Sequence, residues 1–273
     1  VMLGNPEKQI FQCCVKRGTD GGLGISTEEE TEMEKTVIVM PVANEEESME
    51  QVLEGILGLP YDSLYLYVVM DGYSRDRTAD IVKEYEKKTE GKIRYIYHEK
   101  SYGVISCYLE GFRRALEDGA GWIIEMDGGG SHLPSQVPEF IEKLEQGYEC
   151  VWGSRFIKGG KVTDDPVYRR MLSKGGTVLA NLVLGTRLQD MTSGFEGFQR
   201  NVLEEMKLGE FLSRGHMYQT EMRYYCRDKK AVEVPIHYRG SKSGLHAGSV
   251  TEALRILFRL KEHEKNIKNT GNT

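Results

Sequence analysis

The sequence predicts an α/β protein in which a mostly parallel central sheet carries helices on both faces. Two observations lead there. Short β-rich runs recur at 36–42 (TVIVMPV), 64–70 (LYLYVVM), 92–97 (KIRYIY), 121–126 (GWIIEM) and 148–153 (YECVWG). Between them stand helix-patterned segments of roughly 10 to 15 residues, and strands alternating with helices at that spacing pair in parallel. A length of 273 residues with 39% hydrophobic content can bury one sizeable core, so one large domain is expected.

Residues 1–35 show no sustained period, contain GTDGGLG and end in the acidic run TEEETEMEK, the composition of a variable and partly disordered extension. TVIVMPV then opens the main domain, expected over 36–248, with β-branched residues suited to a buried strand. The helix SMEQVLEGILGL follows and stops at Pro60, and TADIVKEYEKK follows the second strand. Asp76 or Thr78 is placed to cap that second helix, expected to begin near Ala79. In SKGGTVLANLVLG the leucines and valines are expected as core. Over 249–273, Ser249 and Glu252 form a capping box ahead of TEALRILFRLKEHEKN. That helix places Leu254, Leu257 and Phe258 on one face with Arg255, Arg259 and Lys261 around it, which suits either packing on the domain or a membrane surface.

The net charge of −6 gives no global attraction to nucleic acid or anionic lipid, so nucleic acid is not expected as a partner. Five cysteines, odd in number and without metal-ligand spacing, favour reduced thiols and a cytoplasmic setting. No apolar run reaches the roughly 20 residues that a membrane span needs, and no leader pattern opens the chain. The expected location is cytoplasmic, with peripheral contact at the cytoplasmic membrane face as an extension of it.

Ligands of open α/β sheets bind at the carboxyl ends of the strands. Three of those ends carry polar clusters: PVANEEE after the first strand, MDGYSRDRT after the second and EMDGGGSHLP after the fourth. Each alone is compatible with turn chemistry, but together they describe one site.

These clusters resemble glycosyltransferase family 2. PVANEEES is similar to that family's opening motif, DGYSRDRT to its second-strand motif, and EMDGGGSHLP occupies the place of its aspartate-any-aspartate loop. GSRFIKGG, RRMLSKGG and QDMTSGFEGFQR further resemble the polyprenyl-phosphate, dolichol-phosphate mannosyltransferase-like branch, over about residues 36–248. The resemblance implies a GT-A nucleotide-diphospho-sugar transferase fold, a Mg²⁺ or Mn²⁺ cofactor, and inverting transfer of a hexose such as mannose or glucose onto a dolichyl or undecaprenyl phosphate. It also implies nucleotide-sugar contacts at Pro41, Asn44, Glu45 and Asp71, with Asp71 at the base. The chain departs from the pattern at Ala43, where the family has tyrosine, and at Gly129, where it has the second metal aspartate.

The chemistry can also be followed from the residues. A leaving diphosphate needs neutralisation, and a divalent cation held by one or two carboxylates plus phosphate oxygens and water supplies it. Asp127 is the candidate ligand, and His132 either assists it or serves as an ordinary residue ahead of Pro134. Gly128, Gly129 and Gly130 would let the backbone approach the diphosphate. Arg155 could grip a phosphate through two parallel hydrogen bonds, and Asp190 could serve as an orienting group, a weak base or a structural cap. A lipid phosphate is already ionised near neutral pH, so it needs cations and donors rather than a strong base. Arg169, Arg170, Ser173, Lys174, Arg239, Lys242 and His246 are the candidates. Two alternatives remain at this level: transfer to a saccharide acceptor, which requires a general base, and a nucleotide-sugar-binding homologue without catalysis.

Overall fold

The computed structural model describes residues 34–99, 103–206, 208, 211–213, 215, 217–240 and 247–270. The chain divides into two units, 1–33 and 34–273. Residues 1–33 of the expected extension, with Cys13 and Cys14, lie outside the described residues, whereas Glu34 and Lys35 are described.

The first half alternates as expected: β1 (Thr36–Val42), α1 (Glu46–Leu57), β2 (Leu64–Asp71), α2 (Thr78–Lys88), β3 (Ile93–His98), α3 (Val104–Glu117) and β4 (Trp122–Glu125). A 3-10 turn at Pro134–Gln136 leads into α4 (Val137–Glu145) and β5 (Cys150–Ser154). Then come β6 (Lys161–Thr163), α5 (Val167–Leu184), β7 (Glu196–Gln199), α6 (Arg200–Glu205), α7 (Tyr218–Tyr225), β8 (Ala231–Pro235), β9 (His237–Arg239) and α8 (Ala247–Thr270).

The central sheet has seven strands in the order β3-β2-β1-β4-β7-β5-β8. Strand β1 pairs in parallel with β2 and β4, as do β2 with β3 and β5 with β8. Strand β7 is antiparallel to both neighbours and separates β4 from β5. This segment is legible in the sequence as motif rather than as strand, because four residues that include a glutamate-glycine step carry little β signal. Both faces of the sheet are covered. Val37 and Val39 of β1 pack with Cys107, Tyr108, Phe112 and Ala115 of α3, while Ile38 and Met40, which point the other way, are equally buried. Each such side chain contributes about 1.5–3 kcal/mol. Gly111 permits the close approach, since a Cβ there would stand 2.2 Å from Val39 Cγ1. Pro41 is tolerated in a central strand because the β4 pairing ends at Val39, short of the missing N–H.

The carboxyl-terminal part differs from expectation in three places. Helix α8 begins at Ala247, so Ser249 lies inside its first turn rather than at its cap. Leu257 joins Ile256 and Leu260 in a core with Ala180 and Leu184 of α5, whereas Leu254 and Phe258 are exposed. Val178 and Leu182 of α5, expected as core, are 54% and 75% exposed. The helix buries only its Thr177, Ala180 and Leu184 edge, and no neighbour among the described residues covers the opposite face. No described helix is long and apolar enough to cross a membrane.

Candidate active site

The carboxyl ends of β1, β2 and β4 are neighbours in the sheet, and the loops after β1 and β2 are stitched together. The chain turns back at Asn44, which adopts φ 56°. Asn44 N–H donates to Ser74 Oγ at 3.1 Å, and Asn44 Oδ1 accepts Arg75 N–H at 2.8 Å. Glu45 N–H donates to Thr78 Oγ1 at 2.8 Å, and Glu46 N–H to Asp76 Oδ2 at 2.9 Å. Asp76 also accepts Thr78 N–H and Oγ1–H, two residues ahead of α2, whose N-cap position is Arg77 rather than Asp76 or Thr78. Asp71 ends β2 and accepts Tyr73 N–H at 2.8 Å through Oδ1. Gly72 is required beside it, because a Cβ would stand 2.7 Å from the Glu99 carbonyl oxygen.

Asp127 follows β4 and is 39% exposed at its side chain. Tyr108 O–H donates to its Oδ1 at 3.0 Å, fixing the carboxylate from below. Of the glycines after it, Gly130 adopts φ 75°. Gly128 lies against Val42, which a Cβ would approach to 2.3 Å. A half-exposed carboxylate beside a glycine backbone fits a hard cation with oxygen ligands.

His132 does not fit as a ligand. It is 1% exposed, stacked on Phe195 with ring centroids 4.8 Å apart and edge-on to Tyr238. Its Nδ1 accepts the Asp127 N–H at 3.1 Å. Burial lowers its pKa and Arg155 pushes the same way, against the pull of Asp127, so the ring is neutral. A neutral ring whose Nδ1 accepts carries its proton on Nε2, and neither nitrogen then has a lone pair for metal. The expectation of His132 as a metal ligand is corrected to that of a residue positioning the Asp127 loop.

Arg155 and Asp190 form an internal ion pair. Arg155 Nε donates to Asp190 Oδ2 at 2.7 Å and Nη2 to Oδ1 at 2.8 Å, with Nη2 also reaching Thr192 Oγ1 at 2.6 Å. Asp190 is fully buried and additionally accepts the N–H groups of Arg155 and Thr192. Burial alone would raise its pKa, but the Arg155 guanidinium holds it below the usual carboxylate range. The two-pronged edge of Arg155 expected to grip phosphate is turned on Asp190. Asp190 orients Arg155 and has no access to an acceptor proton, so its expected weak-base role gives way to the orienting one.

The expected acceptor residues gather elsewhere. Arg169, Arg170, Ser173 and Lys174 occupy the first two turns of α5, where the four-residue spacing puts Arg169 over Ser173 and Arg170 over Lys174. Arg169 lies 3.6 Å from Asp165, and Arg170 and Lys174 are exposed. Strand β9 pairs with β6, just before α5, and carries Arg239, whose N–H donates to the Ser131 carbonyl at 2.9 Å. Arg239 therefore borders the glycine loop. Lys242 and His246 lie outside the described residues.

Beneath Asp127 lies a buried polar layer that the sequence reading missed. Glu125 of β4 sits directly opposite Glu196 of β7, and both are fully buried. Burial pushes Glu125 well above the usual carboxylate range, with Glu196 and Asp127 adding to it. Burial also raises Glu196, to about 7, against the counter-pull of Arg223, which donates to it. The one available signal was a glutamate inside the otherwise apolar run GWIIEM. The cavity of about 290 Å³ bounded by Leu57, Leu64, Lys92 and Ile93 lies at the amino ends of β2 and β3, away from these residues.

Known proteins are similar to this chain. The polyprenol monophosphomannose synthase of Mycolicibacterium smegmatis is 27% identical over 231 residues, covering 84% of this chain and 86% of that protein. The undecaprenyl-phosphate mannosyltransferase of Micrococcus luteus is 30% identical over 225 residues, covering 81% and 91%. Among solved structures, glucosyl-3-phosphoglycerate synthase of Mycobacterium tuberculosis with Mn²⁺, UDP and phosphoglyceric acid superposes with a TM-score of 0.59 at 18% identity, over 82% of this chain and 76% of that one. A mannosyltransferase of Pyrobaculum calidifontis in complex with GDP-mannose and Mn²⁺ gives 0.56 at 16%, over 85% and 65%. These likenesses show the GT-A type fold. The glycosyl transferase family 2 model matches residues 37–207, the span that holds the three strand ends, the glycine loop and the start of α5, and the chain belongs to that family of glycosyltransferases.

Proposed function

We propose that the protein transfers a hexose, with inversion, from a nucleotide-diphosphate sugar to a polyprenyl phosphate. The observation that carries this reading is the placement of Arg239 against the glycine loop that bears Asp127, with the Arg169–Lys174 turns beginning a few residues beyond its partner strand. An anionic nucleophile is thereby offered cations beside the donor site. The relatives' names support the polyprenyl phosphate acceptor and favour mannose among hexoses.

The donor would lie over the ends of β1, β2 and β4, with Pro41, Asn44, Glu45 and Asp71 at the nucleoside and Gly128 and Gly129 at the diphosphate. Asp127 would hold Mg²⁺ or Mn²⁺, which supplies neutralisation of the leaving diphosphate. The acceptor phosphate, whose second pKa is about 6, attacks the anomeric carbon from the opposite face while the bond to the diphosphate oxygen breaks. Arg169, Arg170 and Arg239, with Ser173 and Lys174, hold that phosphate in line, with Lys242 and His246 as further candidates. A saccharide acceptor is disfavoured because Asp190, the acid the sequence offered as a base, is buried and saturated with donors. The exposed apolar side of α5, continuous with the acceptor cations, is where peripheral contact with the acceptor's membrane would fall.

The test is incubation of the protein with detergent-solubilised polyprenyl phosphate and labelled GDP-mannose or UDP-glucose, with Mg²⁺ or Mn²⁺. Formation of a lipid-phosphate hexose supports the reading. Donor binding without transfer would select the non-catalytic alternative, and product on a saccharide alone would select the other acceptor class.

A further inference from the structure

Gly129 stands where family 2 enzymes carry a second aspartate, yet its surroundings are not empty. A Cβ built on Gly129 would lie 3.0 Å from Glu45 Oε1, 3.1 Å from Oε2 and 3.2 Å from Cδ. The Glu45 carboxylate thus faces the Gly129 backbone, in the space an aspartate side chain would enter. Gly129 is not among the residues with positive φ, whereas Gly130 is, at 75°. A side chain at 129 would therefore meet the end of the Glu45 side chain, while the backbone conformation there places no demand for glycine.

The main chain of Glu45 is anchored beside the loop. Its N–H donates to Thr78 Oγ1, and its carbonyl accepts the N–H groups of Ser48 and Met49 at 3.1 and 2.9 Å. The left-handed turn at Asn44 precedes it. Strands β1 and β4 are parallel neighbours in register Val39 with Glu125, so the chain leaving β1 runs beside the glycine loop leaving β4. On the Asp127 side, His132 Nε2 is buried without a hydrogen-bond partner and lies 3.8 Å from Asp127 Oδ2, a donor aimed at the same carboxylate.

We infer that Glu45 supplies the second carboxylate of the cation site, so that the charge of an aspartate-any-aspartate loop is divided between the loops after β1 and β4. The loss at Gly129 is then compensated. Affinity of oxygen-ligand sites follows the charge and number of their ligands, and two carboxylates from two loops satisfy the same requirement as two from one. Glu45 consequently serves the metal rather than the base or ribose alone. This inference rests on the nucleotide and cation site proposed above.

The test is titration of Mn²⁺, read by the EPR signal of the free ion, at saturating GDP or UDP. Wild type is compared with Glu45→Gln, Gly129→Asp and the double variant, with nucleotide affinity measured separately without metal. Glu45→Gln should weaken Mn²⁺ binding about 10-fold or more, since it removes one of two anionic ligands, and this loss should exceed any change in metal-free nucleotide affinity. Gly129→Asp should restore Mn²⁺ binding in the Glu45→Gln background and gain much less in wild type, because both carboxylates claim one position. Unchanged Mn²⁺ affinity in Glu45→Gln overturns the inference. So does an equal gain from Gly129→Asp in both backgrounds, or a loss of metal-free nucleotide binding that accounts for the whole effect. Should Glu45→Gln fail to fold, Glu45→Asp, which withdraws the carboxylate by one methylene, is expected to weaken Mn²⁺ in the same direction, and its failure to do so also overturns it. Wild type that binds nucleotide but no Mn²⁺ would overturn the underlying cation reading instead.

Discussion

The regions proposed to face the donor and the acceptor are built on opposite principles. Around the ends of β1, β2 and β4, side-chain oxygens are tied to backbone donors of the neighbouring loop, as in the Asn44–Arg75, Glu45–Thr78 and Glu46–Asp76 contacts. The start of α5, proposed to meet the acceptor, instead presents exposed Arg170 and Lys174 beside exposed Tyr168, Met171 and Leu172. A small, charged donor with a fixed diphosphate rewards preorganised groups. A lipid phosphate that arrives from a membrane rewards long cationic side chains and apolar surface that stays exposed until it is met.

The comparison can be broken most severely at Asp127. Asp127→Asn removes a charge that faces the cation and should lower metal-dependent transfer by about 10³-fold, the scale of several kcal/mol of lost charge stabilisation. It should also remove nucleotide-dependent Mn²⁺ binding by calorimetry, and unchanged binding would show that the rigid side is not a cation site. His132→Ala should cost less than this, and by similar factors with Mg²⁺ and Mn²⁺, because the ring positions the loop and does not ligate.

Rigidity itself is tested at the buried pair. Asp190→Asn leaves the Arg155 cation inside the protein without its counter-charge and should cost about 3 kcal/mol or more in urea unfolding. The pH dependence has a definite sign. Asp190 has a folded pKa below its unfolded value, which is about 3.8, so its contribution is full above that pH and is lost as pH falls through the lower folded value. Wild type should therefore lose stability below about pH 4 more steeply than Asp190→Asn, and parallel profiles would refute the pairing as a source of stability.

On the acceptor side the effects should be smaller and selective. Replacing Arg169 and Arg170 together with alanine should lower kcat/KM for polyprenyl phosphate about tenfold, the loss of one or two charge-assisted contacts, with donor affinity retained. Equal loss of donor affinity would place these arginines with the diphosphate and erase the contrast. Least of all, Leu182→Glu should reduce binding to anionic vesicles at low salt by several-fold while leaving activity in detergent near wild type. Binding of wild type should weaken at 0.5 M salt if cations contribute, since screening over about 10 Å at 0.1 M tightens further with ionic strength. Vesicle binding indifferent to Leu182 would mean that the exposed side of α5 does not meet lipid.

The sequence by itself determined the alternation of strands and helices, the strand ends that carry polar clusters, and the family. Those features are local: hydrophobic periodicity marks β1 to β5, and short motifs such as PVANEEE and DGGGSH need only their own neighbours to be read. Only the tertiary structure decided which groups act together. Glu125 and Glu196 meet because β7 inserts between β4 and β5, and Arg155 turns on Asp190 because the loop before β7 returns to the end of β5. Glu45 reaches Gly129 because β1 and β4 are parallel neighbours although more than eighty positions separate the two residues. Leu257 is buried and Leu182 exposed because α8 packs on one edge of α5 only. The pattern along a helix states that a face is apolar, but what lies against that face depends on where distant parts of the chain come to rest.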